Sequence, residues 1–314
     1  MFRSEEQHAR HIPLNATSLY DRSRPRISRR FQGEDPTVRF ATIRHATGTR
    51  AAIVDDDAVS PLPYGDVGAL LSAVGIEGLA NLRGESAPAP LFEADLAPVV
   101  TAPSKIICVG LNYRSHIVEM GRDLPAHPTL FAKFADTLIG ARDDLKLPAA
   151  SEQVDWEAEL GIVIGAPVRR ATAEQARSAI AGYTIVNDVS MRDWQWRTPQ
   201  WLQGKAFENS TPAGPFLVTP GDVDHARDLE LRCDVDGVTM QRSSTSDLLF
   251  DPAEIVAYIS GFTTLRPGDL IATGTPGGVG AGRDPQVFLQ PGQVLRTAIE
   301  GLGECVNTCR EEKA

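Results

Sequence analysis

Within Asp155-Trp156-Glu157-Ala158-Glu159-Leu160-Gly161-Ile162-Val163-Ile164, two glutamates stand two residues apart in an apolar run. On a strand alternate residues share a face, so Glu157 and Glu159 point one way while Ala158, Leu160 and Ile162 face the core. Two neighbouring carboxylates repel unless a divalent cation lies between them or a shared proton raises one pKa. Asp188, just past the apolar stretch 183–186, is the third acid of the set. Three carboxylates without histidine or cysteine suit a hard ion, Mg²⁺ or Mn²⁺, over Zn²⁺, and leave about three octahedral positions for water or substrate. A solvated outer strand face is the competing reading of the Glu-x-Glu pattern.

A second constellation lies in Asn112-Tyr113-Arg114-Ser115-His116-Ile117-Val118-Glu119, after a buried strand and Gly110. On a helix, His116 and Glu119 are three apart and in reach of each other. A carboxylate on one imidazole nitrogen fixes the tautomer, leaving the other to take a proton from water; a surface ion pair has the same spacing. Lys205, in Gln203-Gly204-Lys205, is one of only five lysines. An ammonium beside a polarised carbonyl stabilises enolate charge, and Arg192 is a second cation for an anionic substrate; an exposed lysine is the plainer alternative. Thr273-Gly274-Thr275-Pro276-Gly277-Gly278-Val279-Gly280 lacks the Lys-Ser/Thr ending of a P-loop and the spacing of a dinucleotide fingerprint. Its N–H groups suit a carboxylate nest, or simply a turn.

These residues need a scaffold, and the rest of the chain indicates its kind. Strands are expected over 38–43, 51–54, 105–109, 129–133, 157–164, 183–189, 215–219, 229–235, 238–241, 269–272 and 294–299. Helices are expected over 66–74, 173–181 (with Thr172 as N-cap) and 252–260. Asp236-Gly237 marks a tight hairpin turn. Strands outnumber helices and no strict βαβ repeat exists, which disfavours a Rossmann fold or a TIM barrel. The expected class is α+β, mainly β. Proline- and alanine-rich segments at 86–90 and 97–103 suggest a linker, dividing a small N-terminal domain (36–103) from a larger domain (104–314).

The 314 residues carry a net charge of −10, and no apolar run is long enough to span a membrane. An acidic chain without a basic face is a poor nucleic-acid binder. Residues 1–30 break the pattern with seven arginines against three acids, +4, leaving −14 for the rest. They lack an apolar signal core, and residues 1–35 read as a loosely ordered extension rather than a targeting or polyanion-binding arm. The four scattered cysteines, Cys108, Cys233, Cys305 and Cys309, read as reduced core thiols in a cytoplasmic protein.

Taken in order, several segments resemble the fumarylacetoacetate hydrolase family. They are Gly110-Leu111-Asn112-Tyr113 with His116 and Glu119, the 155–161 stretch, Asn187-Asp188-Val189-Ser190-Met191-Arg192-Asp193-Trp194-Gln195, Gly204-Lys205, and the 273–280 loop. The likeness covers about 105–300, is weaker over 38–100 and is absent over 1–30. It implies a mixed β-roll or barrel with a small N-terminal domain, and a homodimer. It implies Mg²⁺ or Mn²⁺ on Glu157, Glu159 and Asp188, and His116–Glu119 as a water-activating dyad on a lid. Lys205, Arg192, Gln195 and Thr275 would contact substrate, with Tyr113, Lys133 and Gly274 beside them. Met191 stands where a small residue is usual in the family, and Phe134 where proline is common.

The implied substrate is a small anionic 2-oxo acid. The implied reaction is hydrolysis of a C–C bond in a 2,4-dioxo acid of acylpyruvate or fumarylpyruvate type, because the dyad supplies the activated water that only hydrolysis needs. Oxaloacetate decarboxylation, or a hydroxymuconate-type isomerisation or decarboxylation in aromatic catabolism, is the alternative, needing only the enolate.

Overall fold

The computed structural model describes residues 38–84, 88–119 and 121–312, so the arginine-rich extension lies outside the described residues. In chain order the strands are β1 (Arg39–His45), β2 (Gly48–Asp55), β3 (Ala58–Pro61), β4 (Ala89–Pro90), β5 (Ile106–Gly110), β6 (Thr129–Lys133), β7 (Leu138–Ile139), β8 (Leu145–Leu147) and β9 (Val154–Asp155). They continue with β10 (Ala158–Ile164), β11 (Ile180–Asn187), β12 (Ser190–Met191), β13 (Thr211–Val218), β14 (Glu230–Val235), β15 (Val238–Ser244), β16 (Leu270–Ala272), β17 (Val294–Ile299) and β18 (Gly303–Glu311). The helices are α1 (Val67–Gly78), α2 (Arg114–Glu119), α3 (Ala173–Ser178), α4 (Arg192–Gln195), α5 (Leu202–Lys205) and α6 (Pro252–Phe262).

An eleven-stranded mixed sheet runs β4-β3-β2-β1-β13-β11-β10-β16-β5-β6, with β7 beside β13. A five-stranded sheet, β15-β14-β17-β18-β8, packs on one of its faces. Between them Leu160, Ile162 and Ile185 meet Leu231, Leu295, Ile299 and Cys305, all buried. The opposite face carries Val163, Val186 and Leu217, covered by Leu70 and Leu71 of α1. Each such aliphatic side chain contributes about 1.5–3 kcal/mol by leaving water. The sheet is therefore buried on both faces where β10 crosses it, and the mainly β class read from the sequence is the observed one.

The small N-terminal region is not set apart. β1 pairs with β13, so the sheet is continuous across the expected boundary near 103. The proline-rich stretch before that boundary is held in place: Val99 N–H donates to Ala213 O, and Thr42 Oγ1 donates to Val99 O at 2.7 Å.

Local signals explain most element ends. Thr172 and Gln175 form a reciprocal capping box on α3, and Asp251 and Glu254 form another on α6. The helix expected over 173–181 stops at Ser178, because β11 already begins at Ile180. A continuous apolar run buried on both faces has no periodicity to mark where it starts. β13 begins at Thr211, ahead of two prolines that argue against a strand in sequence. β18 follows the 301–303 turn and buries Cys305 and Cys309 on one face; all four cysteines are buried and unpaired.

Strand direction determines where the chemistry gathers. β16 runs parallel to β5 and antiparallel to β10, and β10 is antiparallel to β11. The ends of β5, β16 and β11 and the start of β10 thus meet at one edge. From that edge leave the α2 segment, the 273–280 loop and Asp188, beside Glu157 and Glu159.

Candidate active site

Glu159 lies in β10, and Glu157 immediately precedes it. Register pairs Ala158 with Asn187, which places Asp188 beside Glu157; Asp188 N–H donates to Glu157 O at 2.8 Å. Ligand oxygens of Glu157, Glu159 and Asp188 lie within 4.8 Å of one another. Their exposures are 8%, 1% and 0%, so the solvated strand face is excluded.

Burying three carboxylates is costly unless cations accompany them. Lys205 Nζ lies 2.7 Å from Glu157 Oε2 and 2.9 Å from Asp188 Oδ2. Lys133 Nζ lies 2.6 Å from Asp188 Oδ1. Arg192 reaches Glu157 Oε1 at 2.7 Å with Nη1 and Asp155 Oδ2 at 2.8 Å with Nε. Burial alone would lower the Lys205 ammonium; Asp188 and Glu157 outweigh it and hold it above the ordinary lysine value. Burial would raise Asp188, but Lys133 and Lys205 hold it below the usual range. Glu159 is the exception. Its hydrogen-bond donor is the Gly274 N–H at 2.7 Å, and burial, with Asp188 and Glu157 beside it, pushes its carboxyl well above the usual range. A divalent ion among the three would supply the positive charge Glu159 lacks, and hard oxygen donors fit Mg²⁺ or Mn²⁺ chemistry.

Lys205 is thus a buried lysine, not an exposed one. It arrives on α5, which packs so tightly on α4 that a β-carbon at Gly204 would lie 2.4 Å from Gln195 N. Its Nζ also sits 4.9 Å from the Phe131 ring centroid.

A cavity of about 430 Å³ opens above these groups. Glu157, Glu159, Arg192, Gln195, Lys205 and Thr275 line it, together with His116 and Glu119 of α2. His116 Nδ1 and Glu119 Oε2 stand 4.0 Å apart, an ion-pair distance longer than a hydrogen bond. Burial lowers the His116 pKa, favouring the neutral imidazole. Gln195 Oε1 accepts from Arg192 Nη1 at 2.8 Å, while the buried Arg192 Nη2 has no partner among the described residues.

Four expected residues stand behind the cavity wall. Asp188 and Lys133 form their buried pair there, and Gly274 turns its N–H to Glu159. Tyr113 is wholly buried in the core, its backbone bridged to Leu248. Met191 is likewise a core residue, and Phe134 is exposed at the surface.

The glycine-rich loop does bind carboxylates, but the protein's own. Gly280 N–H donates to Asp155 Oδ1 at 2.7 Å and Ala281 N–H to Asp155 Oδ2 at 3.0 Å. Asp155 therefore ties the loop to Arg192. Gln241 on β15 plays a similar part: it accepts from Ala158 N–H at 3.0 Å and donates to Thr275 Oγ1 at 2.8 Å. Neither role is visible in sequence. Phe131, Trp196 and Trp201 add an aromatic side to the cavity.

With this geometry in view, known proteins supply the family. Residues 105–310 match the family model "Fumarylacetoacetate (FAA) hydrolase C-terminal". The chain belongs to the fumarylacetoacetate hydrolase family. Within the family it is 44% identical over 220 residues to the mitochondrial oxaloacetate tautomerase FAHD2A of Bos taurus, covering 69% of this chain and 70% of that protein. Among solved structures, 5-carboxymethyl-2-hydroxymuconate delta-isomerase from Mycobacterium smegmatis superposes with a TM-score of 0.73 at 34% identity, covering 88% of this chain and all of the other. Fumarylacetoacetate hydrolase from Exiguobacterium antarcticum does so at 0.78 and 30%, with the same coverage. The family thus includes relatives named for tautomerisation and isomerisation as well as for hydrolysis. Among the described residues no helix is long and apolar enough to cross a membrane.

Proposed function

We propose that this enzyme acts on a small 2-oxo acid through its enol or enolate, with tautomerisation of an oxaloacetate-like acid as its first reaction. One observation carries the reading: a buried ammonium, Lys205, pairs with Glu157 and Asp188 of the carboxylate trio and lines the same cavity as His116. The relatives named as an oxaloacetate tautomerase and a muconate-type isomerase support it over the C–C hydrolysis expected from sequence.

Glu157, Glu159 and Asp188 would hold the divalent ion, proposed as Mg²⁺ or Mn²⁺, which when bound would polarise the 2-oxo carbonyl. Arg192, which lines the cavity, would bind the substrate carboxylate next to that carbonyl. Neutral His116 takes the proton from carbon 3, and the bonding pair becomes the carbon–carbon double bond. Negative charge develops on the 2-oxo oxygen, where the Lys205 ammonium stabilises it. The imidazolium, steadied by Glu119, then returns its proton to that oxygen and releases the enol. Decarboxylation uses the same groups: the C3–C4 bonding pair becomes the C2–C3 double bond of an enolate as carbon dioxide leaves, the Lys205 ammonium stabilises the oxygen charge, and carbon 3 then takes a proton from water, relayed through His116.

Hydrolysis of a 2,4-dioxo acid remains as a second reading, because His116 and Glu119 also suit water activation. The test is one panel with Mg²⁺: enol absorbance for oxaloacetate, pyruvate formation, and cleavage of an acylpyruvate. Faster enol interconversion than cleavage is the expected result. Cleavage alone would reverse the order of the two readings, and inertness toward every 2-oxo acid would end both.

A further inference from the structure

The α2 segment that brings His116 over the cavity also brings Arg122. After Glu119 the chain turns at Gly121, whose φ is +65°, a left-handed conformation that favours glycine. Gly121 N–H donates to Val118 O at 2.9 Å and Arg122 N–H to Ile117 O at 3.2 Å. This is the Schellman pattern of hydrogen bonds, and it fixes the backbone of Arg122 against the helix it follows. Arg122 lines the same cavity as Glu157, Glu159 and Arg192. Among the described residues its guanidinium makes no ion pair and no hydrogen bond.

The charge balance of the site makes this unpartnered cation informative. Beneath the cavity lie four carboxylates (Asp155, Glu157, Glu159 and Asp188) against three cations (Lys133, Lys205 and Arg192). A divalent ion brings that set to +1, enough for one substrate carboxylate. Glu119 balances His116 whenever the imidazole carries a proton. Arg122 then leaves one further positive charge, exposed on the cavity lining that it shares with Trp196 and Trp201.

We infer that Arg122 is a specificity residue that receives a second carboxylate, so the preferred substrates are 2-oxo dicarboxylates rather than 2-oxo monocarboxylates. The inference rests on the 2-oxo acid reading and narrows it. Arg192 takes the carboxylate beside the 2-oxo group, and the Arg122 fork takes the distal one in a bidentate, charge-assisted contact. Placing this cation on the dyad's own segment couples recognition to catalysis: a diacid draws Arg122, and with it His116, toward the reacting carbon.

The test compares oxaloacetate with 2-oxobutanoate, which shares the enolisable carbon 3 but lacks the distal carboxylate. Isotope exchange at carbon 3 is measured with the full chain and Mg²⁺. Wild type is expected to favour the diacid, and Arg122→Gln to reduce the diacid-to-monoacid ratio of kcat/KM by on the order of tenfold, mostly through KM. Arg122→Lys should recover part of the ratio, since charge returns without the fork. Calorimetry with malate and 2-hydroxybutanoate, which do not react, gives a readout independent of turnover: the malate preference should shrink in Arg122→Gln and weaken with added salt. An unchanged ratio together with an unchanged malate preference would overturn the inference. A wild type inert toward both oxo acids would instead sink the 2-oxo acid reading, while the malate comparison would still decide whether Arg122 selects diacids.

Discussion

A β-carbon placed on Gly277 would lie 3.2 Å from His116 Nδ1, and it would also stand 3.1 Å from Glu119 Oε2. The glycine-rich loop is therefore the floor on which the dyad rests, and Gly277 is small because the dyad comes that close. Gly277→Ala is expected to shift His116 and Glu119 by a few tenths of an ångström. Because displacements of about 1 Å can cost on the order of a hundredfold, this smaller shift should lower turnover by roughly a few-fold while Mg²⁺ affinity, measured by calorimetry, is retained. Wild-type turnover in this variant would show that the contact does not position the dyad.

The acid side of the pH profile should report His116. Burial lowers its pKa from the ordinary 6.5; Glu119 and Glu157 oppose that, while Arg122 and Arg192 reinforce it. The neutral form is the base, so activity persists as pH falls past 6.5 and is lost only lower, on protonation of the imidazole. Glu119→Gln removes a group that raises the pKa, so its acid limb should move to still lower pH. A profile of kcat/KM against pH checks both, and a limb that moves up in Glu119→Gln would contradict this electrostatic assignment.

The glutamates of the acidic trio were legible in sequence because the periodicity of extended chain is local: residues two apart share a face wherever that chain goes. The hairpin at Asp236-Gly237 and the cap at Thr172 were legible for the same reason. What was not legible depends on distant chain. Lys133 meets Asp188 from 55 positions away, and Gln241 reaches Ala158 from 83. A lysine at the end of β6 or a glutamine on an outer-sheet strand has no local mark of such a role. Asp155 was visible as an acid beside the motif, but its partners on the 280–281 loop exist only once β10 and β16 align. The glycine loop was ambiguous between nest and turn because composition does not say which anion, if any, comes to it.

Lys133 should matter through Asp188 rather than through substrate. Its ammonium is fully buried and engages Asp188 at 2.6 Å and Val189 O at 3.3 Å. Lys133→Met keeps the apolar stem but leaves Asp188 with Lys205 alone. Breaking a buried pair costs roughly 3–5 kcal/mol, so thermal unfolding should show a clear loss of stability, accompanied by weaker ion binding. A variant with wild-type Tm and wild-type Mg²⁺ affinity would mean that Lys205 suffices to hold Asp188.

Glu159 gives the sharpest contrast between stability and function. In the ion-free protein, burial and then its acidic neighbours raise its pKa well above the unfolded value. A raised carboxyl binds its proton more tightly when folded, so it favours the fold at low pH and costs stability as pH rises through the folded pKa. Glu159→Gln mimics the neutral acid and can still accept from Gly274 N–H. The variant should therefore unfold at a higher temperature than wild type in chelator at alkaline pH, and should lose that advantage as pH falls. It should also bind Mg²⁺ at least tenfold more weakly, since one of three anionic donors is gone. Added Mg²⁺ should then raise the Tm of wild type and leave the variant nearly unmoved. If Glu159→Gln is less stable than wild type in chelator at alkaline pH, the carboxylate is already compensated within the protein, and the argument that it needs a divalent ion fails.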